Sequence, residues 1–344
     1  FQDSAALAVW VGVDERFPQS RLAFRHRVRW VARLDGPDAA RALVRLRFSR
    51  CPDDPEAAFA YGCALLELRE GEEADKAFET VASAPRAKER TLVALARHYA
   101  ALGLHDKASQ ILRPLIARPG VAATTTSLYE DVKAADATIR SALAEADMEK
   151  AAGDTRHAAI YAAFRRAGAL RAAAFRPRSK DALGAVALVN GSLGPGGAER
   201  QFVNTALGLH SAVGRVIAGA RFNGPVHVFC RSLGSRTGAD FFASTLDDAG
   251  LEVREYESFP PELAAPIGDL IEHLPPQMRQ GTLRMTAALR AAAPEVLHIW
   301  QDGSVLATGL AGVLAGVPRI ILGVRTVAPI HRFERDKPEY DPVY

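Results

Sequence analysis

Small residues recur every thirty-four positions through the first half of the chain. Ala74 and Ala108 hold the same place in "EAAFAYGCALLELREGEEADKAFETVASAP" (56–85) and "ERTLVALARHYAALGLHDKASQILRPLIARPG" (89–120). In that alignment Tyr61 falls on Leu95, Gly62 on Ala96, Leu65 on Tyr99 and Phe78 on Leu112. One step back brings Ala40 into register, with Pro52 closing that unit. A period of this length holds two helices per unit. The small residues let the helices approach and the large ones fill the gap between them. A single unit cannot bury its own apolar face, so units must stack into a curved array. The period therefore predicts an α-helical repeat domain over residues 1–178. A looser fourth unit is read in "MEKAAGDTRHAAIYAAF" (148–164), with Gly153 at the inter-helix turn and Ala158 at the close contact. A generic helical bundle is the alternative.

The texture then changes. "RPRSKDALG" (176–184) is polar and proline-containing and reads as a linker. Beyond it, "GAVALVN" (184–190), "PVHVFCRSL" (225–233), "EVREY" (252–256), "VLHIW" (296–300) and "RIILGVRT" (319–326) alternate with helical stretches. That alternation predicts a parallel sheet with helices on both faces over residues 183–344. Ligands of such sheets bind outside the carboxyl ends of the strands. "GSLGPGGAERQ" (191–201) lies at one of those ends, just before a helix that begins near Ala198. Glycines let main-chain N–H groups approach a ligand closely, and a helix N-terminus favours an anion. The stretch is neither G-x-G-x-x-G in the dinucleotide register nor a Walker A loop, since no Lys-Ser/Thr follows. From the residues alone, a diphosphate site and a structural turn both remain open.

Composition excludes several classes. The 344 residues carry 43 Lys and Arg against 40 Asp and Glu, a net charge of +3, too balanced for a nucleic-acid partner. The arginines cluster in "RHRVRW" (25–30) and in 156–180, where they read as solubilising side chains in preference to contacts with phosphate or an anionic membrane face. Cys51, Cys63 and Cys230 form no C-x-x-C pair, which argues against a disulfide framework or a zinc site and fits a reducing compartment. No apolar run reaches the ~18 residues of a membrane span. The first residues lack the basic start of a secretory leader, and the chain begins without Met, as a piece of a longer protein does.

The thirty-four-residue units resemble tetratricopeptide (TPR) repeats. The second half resembles the retaining GT-B glycosyltransferases of family 4. "GGAER" follows the first strand as in that family. "HVFCRSLGSRTGADFFASTLDDAGLEVREY" (227–256) fits its second strand, loop and helix. "PEVLHIWQDGSVLATGLAGVLAGVPRIILGVRT" (294–326) is similar to its segment of strand, small-residue helix and following strand. The fold implied is a TPR-like solenoid followed by the first, Rossmann-like half of a GT-B fold. A second α/β domain with two spaced glutamates is expected after Tyr344, so this stretch alone is expected to be inactive.

The resemblance also implies roles for individual residues. Gly194, Gly196 and Gly197 would face the phosphates of a UDP- or GDP-linked sugar. Glu199 and Arg200 match the loop–helix junction, where Glu199 is open to a capping role as well. In many family members the segment before "DGS" ends in His-x-His, and the second histidine contacts the sugar. Here His298 holds the first position and Trp300 the second, which puts that contact in doubt. His298, Gln301 or Asp302 would substitute by hydrogen bonding sugar hydroxyls, while Trp300 reads as core in preference to a sugar platform. Arg325 and Thr326 end the next strand, and His331, with Arg332 and Arg335, would meet an acceptor at the cleft mouth.

The activity implied is sugar transfer to a glycan or lipid-linked acceptor in surface polysaccharide assembly. It would be metal-independent and free of cofactors, in the cytoplasm or peripherally at the inner membrane. The helical domain would serve a protein partner or a homodimer. The alternative is a TPR scaffold with a degenerate, non-catalytic transferase-like half. A nicotinamide dehydrogenase is disfavoured by the missing glycine fingerprint.

Overall fold

The structure is a computed structural model, and it describes residues 2–18, 20–48, 54–68, 70–145, 155–174, 182–217, 219–231, 233–234, 238–262 and 267–323. The chain divides into two compact units, residues 1–134 and 135–344.

The first unit is helical: α1 (Gln2–Arg16), α2 (Arg21–Leu34), α3 (Pro37–Phe48), α4 (Pro55–Glu67), α5 (Gly71–Ser83), α6 (Glu89–Ala101), α7 (His105–Ile116) and the start of α8 (Ala123–Glu145). Helices α2, α4, α6 and α8 begin thirty-four residues apart, and so do α3, α5 and α7. Three helices of the first set pack on the next helix of the second, α2 on α3, α4 on α5 and α6 on α7. Equivalent positions are buried together: Phe24, Ala58 and Leu92 on the first helices, and Ala40, Ala74 and Ala108 on the second. Val44, Phe78 and Leu112 fill the gap between helices, each fully buried. The turns differ in chemistry but not in position. Ser20 caps α2 by accepting from the Ala23 N–H, and Asp54 caps α4 by accepting from the Glu56 and Ala57 N–H groups.

The basic patch of α2 is consumed within this unit. Arg25 and Arg29 both bond Glu67, Arg33 pairs with Asp3 at 3.2 Å, and Arg27 pairs with Asp14 at 3.0 Å. Asp14 is 1% exposed and takes Arg47 as well, at 3.2 Å. Two guanidiniums beside this buried carboxylate offset the cost of its desolvation.

The second unit begins within α8 and continues in α9 (Thr155–Ala174). Its strands are β1 (Ala182–Leu183), β2 (Val186–Asn190), β3 (Val216–Ile217), β4 (Ala220–Phe222), β5 (Val226–Cys230), β6 (Val253–Glu255), β7 (Val296–Ile299) and β8 (Arg319–Leu322). Its further helices are α10 (Gly197–Ser211), α11 (Ala243–Asp247), α12 (Gly268–Ile271), α13 (Pro276–Ala292) and α14 (Asp302–Leu314). The five strands expected from the apolar runs form one parallel sheet in the order β6-β5-β2-β7-β8. A small sheet, β1-β4-β3, is an addition to that expectation; its strands are too short to show a pattern in the sequence.

Both faces of the inner strands β5, β2 and β7 are covered, as their near-continuous apolar sequences require. Val186, Leu188, Val226 and Val228 pack with Phe202 and Val203 of α10 and Leu246 of α11. Ala187, Val189, Phe229, Leu297 and Ile299 pack with α13 and α14. The small residues of α14 have a reason: a Cβ at Gly312 would lie 2.6 Å from Leu297 and 3.0 Å from Ile320.

The compact division falls at 134/135, upstream of the expected linker at 176–184. Helix α9, read in the sequence as part of a fourth repeat, packs within the α/β unit. Its Ala159, Ile160 and Ala163 share a core with Ile139 and Leu143 of α8, Leu270 of α12 and Leu310 of α14. Gly153 lies outside the described residues, as do Cys51 and Pro52. Among the described residues, no helix is long and apolar enough to cross a membrane.

Packing and charge each predict a change in stability. A Cβ at Gly62 would lie 2.5 Å from the ring of fully buried Phe78. Gly62→Ala should therefore cost about 1–3 kcal/mol by overpacking; an unchanged urea midpoint would sink this reading of the repeat. On β5, His227 Nδ1 lies 2.7 Å from Arg254 Nη2. Burial first, then the Arg254 charge, hold the imidazole below its usual 6.5. The unfolded chain therefore takes up the proton first, and stability should fall as pH drops below about 6.5. His227→Asn should make the difference in urea midpoint between about pH 7.5 and about pH 5.5 smaller.

Candidate functional site

β2 is hydrogen-bonded to β5 on one edge and to β7 on the other. The chain leaves β2 toward β5 and later returns to β7 on the opposite side. The sheet order thus reverses at the carboxyl end of β2, the place where open α/β sheets form a crevice. Two loops meet there, 191–196 after β2 and 300–301 after β7.

The first loop is a built structure. Asn190, fully buried, donates from Nδ2 to the Ser192 carbonyl at 2.9 Å. Leu193, also fully buried, donates its N–H to the Ala239 carbonyl at 2.7 Å and accepts from the Phe242 N–H at 3.0 Å. The Gly196 N–H then donates to the Gly194 carbonyl at 2.8 Å. Gly196 is the N-cap of α10 in extended conformation, with no side chain capping it. Gly197 is exposed, and the space a Cβ would take there is open. The first-turn N–H groups of α10 have no intrahelical acceptors, and the helix dipole adds partial positive charge.

Gln301 joins the two loops. Its Oε1 accepts from the Gly191 N–H at 3.3 Å, and its Nε2 donates to Glu199 Oε1 at 2.6 Å. The two glycines are needed for this approach. A Cβ at Gly191 would sit 2.7 Å from Gln301 Oε1, and one at Gly196 would overlap Glu199 Oε2. Glu199 therefore lies over the helix terminus, where a carboxylate suits the dipole. Arg200, in the same first turn, is exposed and has no ion pair among the described residues.

The other expected residues divide between core, strand end and masked chain. Trp300 is 4% exposed and meets Phe202 of α10 edge-on, with ring centroids 5.8 Å apart. It belongs to the core and keys α10 to the end of β7. His298 is half-buried, one residue short of the end of β7, in register with Leu188 and Ile321, and its ring is 5.2 Å from that of Trp300. Asp302 opens α14, but its side chain lies outside the described residues, and Arg325, Thr326, His331, Arg332 and Arg335 lie wholly outside them.

Sequence reasoning missed the anchors of the first loop. Asn190 is a polar residue ending an apolar strand, a signal that could have been read. The segment 239–242 gives no such signal. It also missed Tyr256, which follows β6 and hydrogen-bonds with the Ser304 side chain in the first turn of α14. Burial pushes the Tyr256 hydroxyl up to about 12, so it stays protonated. Among the described residues, no group of three or more His, Cys, Asp or Glu side chains is placed to hold a metal ion.

No protein-family model matches the chain. The chain is similar to the Vi polysaccharide biosynthesis protein VipC/TviE of Salmonella typhi, at 35% identity over 171 residues. The matched stretch covers 47% of this chain and 29% of that protein.

Trp300→Ala should destabilise the α/β unit by about 3–5 kcal/mol, the cost of emptying an aromatic core site. Urea unfolding followed by circular dichroism reads this, and an unaltered midpoint would make Trp300 a ligand-facing side chain instead.

Proposed function

We propose that the protein is a glycosyltransferase of polysaccharide biosynthesis that uses a nucleotide-sugar donor. One observation carries the reading: the glycine loop 191–196 and the Gln301 turn converge at the sheet's switch point, beside the N-terminus of α10, which the Glu199 carboxylate covers. The relative named for Vi polysaccharide biosynthesis supports the same role. The exposed Arg200 supports it further. It has no ion pair among the described residues, which leaves its guanidinium open to a phosphate.

In this reading the donor diphosphate lies against Gly194, Gly196 and Gly197. As the bond to the sugar breaks, negative charge grows on the leaving diphosphate. Fixed N–H donors and Arg200 stabilise that charge more than they stabilise the bound donor, which lowers the barrier. Glu199 gives way to the phosphates or turns to a sugar hydroxyl, with Gln301 setting its position. Gln301 and Asp302 bond sugar hydroxyls. His298 acts through the packing of Trp300. Arg325, Thr326 and His331 belong to the acceptor side, where a glycan or lipid-linked acceptor binds. Retention of configuration and a nucleotide-reading second domain follow from the GT-B family 4 resemblance. The helical unit reads as a TPR-type array for a partner or a second copy.

A scaffold role is the second reading, favoured by Trp300. The position that carries a sugar-contacting histidine in the resembled family is filled here by a core tryptophan.

Gly197→Pro separates the two. Gly197 is the first residue of α10, a position that accepts proline, and Gly196 before it is extended. The substitution removes one phosphate-facing N–H and leaves the helix intact. With full-length protein and a panel of UDP- and GDP-sugars, one donor should be turned over. Gly197→Pro should lower that turnover by about 10²-fold, the effect of losing one such donor, and Gly197→Ala should not. No donor binding and no turnover from well-folded protein would leave the scaffold reading.

A further inference from the structure

The small sheet of the α/β unit ends in an open hairpin. β3 is its last strand, and β4 pairs with it antiparallel, Val216 opposite Arg221 and Ile217 opposite Ala220. Residues 213–217 are exposed without interruption, Val213 at 41%, Val216 at 64% and Ile217 at 40%. Residues directly opposite on neighbouring strands share a face, and the two faces here differ. Phe222, fully buried, and Leu183 close one face against the core of the unit. The other face shows Val216, Arg221 and Ala182 side by side, all exposed.

The charge beside these side chains has one sign. No Asp or Glu occurs between Glu199 and Asp240, a stretch that holds five arginines. Arg215 and Arg221 are exposed, and neither has a carboxylate partner among the described residues. Arg221 donates from Nη1 to the Gly214 carbonyl at 3.4 Å, which keeps its guanidinium beside Val213 and Val216. An edge strand ordinarily carries charge or proline that discourages pairing. β3 consists of a valine and an isoleucine instead.

The combination selects the occupant. Val213, Val216 and Ile217 offer far less apolar area than a stable protein interface, which buries about 800 Å² on each partner. A lipid surface needs no such area or shape match, because aliphatic side chains and cations each add to binding there. The unpaired arginines call for anions next to an apolar tip, and an anionic headgroup layer over hydrocarbon supplies both. We propose that the β3–β4 hairpin docks the protein on an anionic lipid surface. Val213, Val216 and Ile217 enter the acyl boundary, and Arg215 and Arg221 lie among the headgroups. The proposed lipid-linked acceptor gives this surface a use, while the docking itself rests on the hairpin alone.

The test is co-sedimentation of the full-length protein with vesicles at about 0.1 M salt. Vesicles of phosphatidylglycerol and phosphatidylcholine in equal parts should bind it about tenfold or more tightly than phosphatidylcholine alone. Arg215→Gln and Arg221→Gln should each weaken that binding about fivefold. Arg215→Lys with Arg221→Lys should preserve it, because the charge alone acts. Val216→Ser with Ile217→Ser should weaken it about tenfold. All four side chains are exposed, so the urea midpoints should match wild type. Absence of binding, equal binding to both vesicles, or indifference to the Gln or Ser substitutions would overturn the proposal. So would loss of binding in the Lys variant, which would indicate a shaped anion site. A dimer in light scattering that the Ser variant converts to monomer, with vesicle binding unchanged, would assign the hairpin to a second copy and overturn it as well. Vesicle binding without nucleotide-sugar turnover would support this surface while removing the transferase reading.

Discussion

The pairing of β2 on both of its edges governs everything at the candidate site. All five of its residues are buried, and its register with β5 and β7 fixes where the neighbouring loops emerge. Because the chain departs to one side and returns on the other, the connections after β2 and β7 diverge, and a crevice is left between them. The loops meet through backbone pairing and need no attraction of their own. Gln301 exploits that proximity with one side chain, bonding a main-chain N–H of one loop and a carboxylate on the following helix. Trp300 plays the complementary part from below: its edge-on contact with Phe202 sets the position of α10 and so of the helix terminus itself.

The parts of this that were legible in the sequence share a physical cause. Inner strands of a parallel sheet are buried on both faces, so they appear as apolar runs such as "VALVN" and "VHVFC". Glycine-rich stretches at their ends mark where backbone must pass close to something. What that something is was not legible. Gly191 and Gly196 are glycines because Gln301 and Glu199 lie against them, and Gln301 is distant in sequence. Leu193 looks like an ordinary loop residue until its backbone is seen bonded to Ala239 and Phe242. Helix α9 reads as a repeat helix because it is rich in alanine on every side. A helix without a distinct apolar face carries no mark of the surface it will cover.

The helical unit shows how little a charge count says about a surface. The arginines of α2 form the densest basic stretch of the first half, yet Glu67, Asp14 and Asp3 absorb four of them. The recurrence of helix starts explains why partners fall in reach across units. Arg90 reaches Glu56 from an equivalent place one unit further along the chain. Such pairs are exposed and individually weak, and they fix the relative setting of the helices more than they add to stability.

The membership of α9 in the α/β unit bears on how the chain can be divided. A fragment started in the polar stretch at 176–184 would lose Ile160, Ala163 and Phe164, which cover Leu270, Leu274 and Leu310. The uncovered leucines would form a contiguous apolar patch on the helix layer, of the kind that drives self-association. A protease cutting at the compositional break would therefore release a sticky α/β piece rather than an autonomous domain. The smallest fragment that retains its own covering begins upstream, near Ala135 in α8.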